Sequence, residues 1–246
     1  MAKQNKSNFL VSWCLFTMGV LVLPFIASCG KGANANSSGL NTQLQIINLS
    51  PDALPLSLYL NYIKESTATY TYTNNSGYFF LSTLQPPLQL RTATTSPTNV
   101  LTITNTLLSN AKYTLFVTGF KSDSSIKNSI LSLDTATLPA IGRGKVRFVN
   151  ASPSSPALDL KANGTAVADS LPFNKVSLYV QVPVGNYNFT INANRTPDKI
   201  ETTLLNVTIQ DGRAYTIYTQ GIVGRTDSVA FGAAVLTNNL LLKTTQ

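Results

Sequence analysis

The chain has 246 residues, 18 basic and 10 acidic, for a net charge of +8, and it contains no histidine. Without imidazole, Ser-His-Asp and Cys-His nucleophile pairs and imidazole acid–base work near neutral pH are excluded. Charged residues are only 11% of the chain, with Thr, Asn and Ser as the polar component, a surface that suits an exported β protein. A net charge of this size bears on solubility and weak attraction to anions, not on fold.

The first residues carry Lys3 and Lys6, then a mostly apolar run over 9–26, then small residues up to a cysteine. That is the three-part layout of a secretory signal. The run is near the lower limit for crossing a bilayer as an uncleaved helix, but Pro24 interrupts its end. Ile26-Ala27-Ser28-Cys29 resembles the bacterial lipobox, whose cysteine thiol accepts diacylglycerol. Cys14 is no rival, because bulky Trp13 stands where the peptidase needs a small residue. Cleavage before Cys29 discards Cys14, so an acylated Cys29 leaves no thiol for a disulfide or a zinc site.

Residues 30–42 read GKGANANSSGLNT. This is a flexible tether that holds the first folded segment about 20 Å from the lipid. Beyond it the segments are short, rich in Thr, Val, Ile, Tyr and Phe, and divided by Asn, Gly, Pro and Ser clusters. They predict strands at 44–49, 67–73, 100–104, 113–119, 146–150, 177–182, 187–192, 204–209 and 215–220.

Sliding the chain against itself by about 102 residues reveals a repeat. Ile47-Asn48-Leu49-Ser50-Pro51 matches Val149-Asn150-Ala151-Ser152-Pro153, and Leu56, Leu58 and Asn61 match Leu158, Leu160 and Asn163. Tyr72, Ser76 and Tyr78 match Phe173, Ser177 and Tyr179 at one residue less, and Tyr113-Thr114 with Gly119 matches Tyr215-Thr216 with Gly221. The fold expected is all-β: two tandem antiparallel β-sandwich domains, immunoglobulin-like with Greek-key links, after a lipoprotein signal peptide. The divisions are 1–28 for the signal, 29–42 for the lipidated tether, 43–140 for the first copy and 144–246 for the second. Alternation turns Val176, Leu178, Val180, Val182, Phe79 and Leu81 toward the cores, with Ser76, Tyr78, Ser177 and Tyr179 on the other face.

The anchors N-x-S-P, Y/F-x-x-x-S-x-Y and the Y-T strand ending in glycine resemble the bacterial domain of unknown function 4397, in a Bacteroidetes-type lipoprotein. The resemblance spans both copies and implies an exported β-sandwich with no established activity. The family often has His before an A-S-P triplet and Asp after it. Here Asn48 and Asn150 hold the His position, and the Asp persists only as Asp52, with Ser154 in the second copy.

Candidate contacts are few. Tyr78 and Tyr179, on a non-core strand face, are expected to stack on a sugar ring, pack against the other copy or lie under a loop; Tyr70 and Tyr72 share a face by alternation and extend the aromatic surface in the first copy. Arg143, Lys145 and Arg147 alternate on one strand, to bind anionic polysaccharide or lipid headgroups, or to protect an edge. Asn48, Asn150, Ser50 and Ser152 read as turn residues bonding local backbone. Asp134-Thr135-Ala136, Asp169-Ser170-Leu171 and Asp227-Ser228-Val229 resemble the O-glycan acceptor pattern of exported Bacteroidetes proteins, making Thr135, Ser170 and Ser228 acceptor candidates.

The acids lie singly, mostly in turns, and neither a calcium loop nor a P-loop or Rossmann glycine pattern occurs. No catalytic residue, metal or cofactor is expected. The reading is a non-enzymatic cell-envelope lipoprotein that binds or organises, held on the membrane through the lipid on Cys29. Its ligand is a glycan or another envelope protein, and nucleic acid is not expected. A carbohydrate-binding lipoprotein of a glycan uptake system is the alternative, and a carboxylate-dependent hydrolase the third reading. Gly30, in place of the Asp that retains lipoproteins in the inner membrane, implies the outer membrane and leaves its face open.

Overall fold

The computed structural model describes residues 41–193 and 201–238, so the signal segment and Cys29 lie outside the described residues. In the first copy β1 (Gln43–Asn48), β4 (Phe79–Phe80), β7 (Lys112–Val117) and β8 (Ile130–Leu133) form one sheet in the order β4-β1-β7-β8. Its partner, β3-β2-β5-β6, comprises β2 (Leu56–Leu60), β3 (Ile63–Lys64), β5 (Leu88–Thr92) and β6 (Asn99–Ile103).

The second copy repeats the plan. β9 (Arg143–Asn150), β12 (Lys175–Val176), β16 (Ala214–Gln220) and β17 (Gly232–Thr237) give the order β12-β9-β16-β17, with β13 (Val180–Pro183) also on β9. β10 (Leu158–Ala162), β11 (Thr165–Leu171), β14 (Gly185–Asn192) and β15 (Glu201–Ile209) give β11-β10-β14-β15. Pairing between the named strands is antiparallel except where the first long strand of each copy runs parallel to a late one: β1 with β7 and β9 with β16.

Each sandwich has its own core. Leu44, Ile46, Leu56, Leu58, Leu90 and Leu115 fill the first, and Val146, Phe148, Leu158, Leu160, Ile191 and Ile217 the second. These come from alternate positions on facing sheets, and each buried aliphatic side chain contributes about 1.5–3 kcal/mol. The glycines that end the matched Y-T strands are explained by geometry. Gly119 and Gly221 both have positive φ, and a Cβ on Gly221 would stand 2.0 Å from the Ala230 carbonyl oxygen.

The predicted strand over 67–73 is corrected. Tyr70 makes a bridge to Leu56 in one sheet and Tyr72 a bridge to Asn48 in the other. The segment therefore crosses from sheet to sheet at the sandwich edge and cannot pair along its length with either. The alternation expected over 176–182 also fails: Leu178 is 88% and Val180 38% exposed, Val176 packs on a cluster outside the second core, and Val182 alone of the four joins that core. Residues 177–179 leave the strand between β12 and β13, so the period of two is broken there. Phe79 and Leu81 do reach the first core.

Candidate functional site

An outer sheet strand ordinarily buries one face. β1 and β9 are buried on both for most of their length. The even positions Ile46, Val146 and Phe148 face the cores, while Ile47, Leu49, Val149 and Ala151 join Phe116, Tyr218 and Leu236 in a third apolar cluster. That cluster draws on both copies, so the β1–β7 sheet of one sandwich packs against the β9–β16 sheet of the other. The Phe116 and Tyr218 rings meet there with centroids 5.8 Å apart.

A polar network borders this seam. Asp134, just past β8, pairs with Arg147 of β9, with side chains 0% and 3% exposed. Asp134 also accepts hydrogen bonds from Thr114 Oγ1 at 2.6 Å and Tyr78 OH at 2.9 Å. Arg147 donates further to Ser132 Oγ at 2.7 Å, the Leu133 carbonyl at 3.1 Å and Thr216 Oγ1 at 2.9 Å. Thr216 donates to Asn238 Oδ1, and Asn238 Nδ2 returns across the seam to Tyr78 OH at 2.9 Å. The Tyr179 ring lies beneath the Arg147 guanidinium, 4.8 Å from its centroid. Burial pushes the Asp134 carboxyl up, opposed by Arg147 and the two hydroxyl donors. Burial and the Asp134 charge push the Tyr78 phenol up.

The network follows the repeat. Asp134 N–H bonds the Lys112 carbonyl as Asn238 N–H bonds that of Ala214, which makes Asp134 and Asn238 counterparts. Thr114 corresponds to Thr216 and Gln45 to Arg147 by the same offset. A duplicated set of polar positions has thus diverged so that one copy supplies the anion and the other the cation.

The sequence candidates fall into place accordingly. Tyr78 and Tyr179 pack between the copies. Tyr72 is half-buried, its phenol pushed up by burial and by Asp227 of the second copy. Tyr70 is 4% exposed and belongs to the first core, its phenol pushed up to about 12 by burial and Glu65. Arg147 is not a surface or edge charge: β9 is flanked by β12 and β13 on one side and β16 on the other, and the side chain is spent on Asp134. Lys145 Nζ donates to the Thr137 carbonyl and hydroxyl, both at 2.7 Å, while Arg143 is exposed. Thr135 and Ser228 are exposed; Ser170 is half-buried within β11.

The N-x-S-P asparagines are fully buried structural residues. Asn48 accepts the Ser50 N–H and donates to the Tyr70 carbonyl. Asn150 donates to the Pro156 and Leu171 carbonyls and accepts from Ser155 and Thr219. Asp134 was visible only as part of an acceptor motif, and nothing local distinguishes it from a turn aspartate. Its alignment with Asn238 would have been the signal.

Among the described residues no group of acidic, His or Cys side chains is arranged to hold a metal ion, and no helix is long and apolar enough to cross a membrane. The sequence model of a family described as "Domain of unknown function (DUF4397)" matches residues 42–161 and 144–243. No curated protein matches the chain. A solved structure from Bacteroides eggerthii DSM 20697, described as a "putative cell adhesion protein", is similar at 9% identity with a TM-score of 0.21, over 81% of this chain and 96% of that one. So slight a likeness carries no argument.

Proposed function

The chain belongs to the DUF4397 family, which it carries in tandem, and from that premise we propose a lipid-anchored module of the bacterial cell envelope that binds or organises other components without catalysis. The observation that carries this reading is the seam. The buried ion pair of Asp134 and Arg147 is closed to solvent and meets its hydrogen-bond partners inside the protein. A catalytic pair must meet a substrate; this one meets the other sandwich. What it supports is a rigid two-sandwich body that presents its loops and outer sheet faces.

The lipobox at Cys29 supplies the membrane attachment, and Gly30 beside it supports the outer membrane as destination. Growth with radioactive palmitate is expected to label the chain, and Cys29→Ala to abolish the label and release the protein from the membrane fraction. Label that survives the substitution overturns the anchor. Chromogenic glycoside and ester substrates are expected to show no turnover above a boiled control; turnover lost on replacing a single carboxylate overturns the non-enzymatic reading.

A further inference from the structure

The two copies differ most where the chain passes from the inner hairpin to the edge of the seam sheet. In the second copy β11 runs along β10 and reaches β12 after three residues. In the first, β3 stops at Lys64 and the chain rejoins β2 only at the Tyr70–Leu56 bridge, the counterpart of Leu171–Leu158, so residues 66–69 leave the sheet. The second copy shows that the sandwich closes without such an excursion. Beside the excursion opens a groove of about 390 Å³ lined by Ser66, Thr69, Tyr70, Asn74, Asn75 and Phe79, with Ala68 and Ser76.

The lining is specific in kind. It holds no charged side chain. Tyr70, 4% exposed, forms the floor, fixed by two backbone hydrogen bonds to Leu56 at 2.8 and 3.1 Å, and the half-buried Phe79 ring packs on the first core beside it. Asn75 Oδ1 is occupied by the Gly77 N–H at 2.9 Å and by Gln45 Nε2, which turns the amide so that its amino group is the remaining donor. Ser66 Oγ accepts the Ala68 N–H, leaving its hydroxyl proton to donate. Aromatic C–H and ring surface beside neutral amides and hydroxyls complements a molecule that has both apolar faces and a belt of hydroxyls. The volume is at the small end of ligand sites, which span about 300–1,000 Å³.

We propose that this groove, in the first copy, is a binding site for one or two rings of an uncharged sugar. The inference rests on the binding-module reading and gives it a ligand class. It also relocates the glycan contact: of the four tyrosines, Tyr70 lines the site, and Tyr78 and Tyr179 belong to the seam.

The test is saturation-transfer NMR on the detergent-solubilised full chain with glucose, galactose, mannose, N-acetylglucosamine and their β-linked disaccharides. Each is supplied at about 10 mM, above the millimolar Kd typical of so small a contact. Transfer to the ring protons of at least one sugar is expected. Asn74→Ala, at an exposed rim position, should weaken it roughly five- to tenfold, as for loss of one hydrogen bond. Ala68→Trp, which fills the groove from its rim, should abolish it, and Tyr62→Ala, at the exposed tip of the β2–β3 turn, should leave it unchanged. Thermal melts of all three should follow the parent; if Ala68→Trp melts early, Asn74→Ala decides. No transfer from any sugar, or transfer that neither groove variant reduces, overturns the site. Palmitate labelling at Cys29 and the substrate screen read the broader proposal independently, so its failure is distinguishable from failure of the groove.

Discussion

Arg147 and Asp134 form an ion pair across two halves of one duplicated sequence, at positions whose counterparts, Gln45 and Asn238, are neutral. Burying two charges is costly, and the pair contributes through what its loss would leave behind: a buried charge with no partner. Asp134→Ala and Arg147→Ala are each expected to destabilise by about 3–5 kcal/mol. The double variant Asp134→Asn, Arg147→Gln restores the neutral residues of the counterpart positions and should cost less than either alanine variant. Denaturant melts of Asp134→Asn, Arg147→Gln and their double variant, arranged as a double-mutant cycle, read the coupling. Additive losses would show that the two residues act separately.

The same seam predicts the behaviour of a nicked chain. A protease site placed in the connecting stretch 137–141, where Leu138 and Ile141 are exposed, should allow complete cleavage. The fragments are then expected to co-elute on gel filtration, because Ile47, Leu49, Phe116, Val149 and Tyr218 remain buried against one another. Separation of the fragments would mean that the linker, not the seam, holds the copies together.

Asp52 gives a pH dependence with a definite sign. Burial alone would raise its pKa, but the Lys121 and Ser122 N–H groups, at 2.7 and 2.9 Å, and the Ser50 hydroxyl outweigh it and hold the carboxyl below its ordinary value of 3.8. A depressed folded-state pKa stabilises above the unfolded value and is lost as pH falls through the folded one. Protection of the Lys121 and Ser122 amides, taken relative to their intrinsic exchange rates, should therefore persist through the ordinary carboxylate range and be lost only below it, under pH 3.8. Asp52→Asn should remove that step while leaving the second copy, which has Ser154 here, unaffected.

Gly221→Ala is expected to cost more than 2 kcal/mol, roughly, because it combines positive φ with an overlap against backbone that cannot turn away. Gly119→Ala meets the Ser125 side chain and backbone at 2.7 Å and should cost nearly as much. Gly77→Ala has positive φ but nothing within 4 Å of the added methyl and should be the mildest of the three. Thermal melts rank them; a mild Gly221→Ala would contradict the close approach to Ala230.

Much of the fold was legible because repeat and period are carried by many residues at once. Leu56, Leu58, Leu158 and Leu160 report burial by alternation alone, and Gly119 and Gly221 mark the same turn twice. The seam was not legible by that route. Ile47 and Leu49 look like ordinary strand residues, and only the contact of two sheets shows that both faces of β1 are covered. Arg147 misled for the same reason, since an arginine between two basic neighbours reads as surface until its acceptor is found on another domain. Residues 67–73 alternate perfectly well but change sheets midway, which no local pattern encodes. The groove arises where the first copy leaves β2 and the second stays paired with β10, although the spacing of the copies there differs by one residue.

The divergence of Gln45 from Arg147 and of Asn238 from Asp134 also bears on the history of the chain. Loss of one of two identical copies would uncover an apolar sheet face but leave no buried charge behind. Once one copy carries the buried anion and the other its cation, deleting either strands a charge, and exchanging one for a second version of its twin sets like against like. The duplication thereby becomes a ratchet: selection can still reshape the loops of each sandwich separately, but it inherits, keeps or loses the pair together.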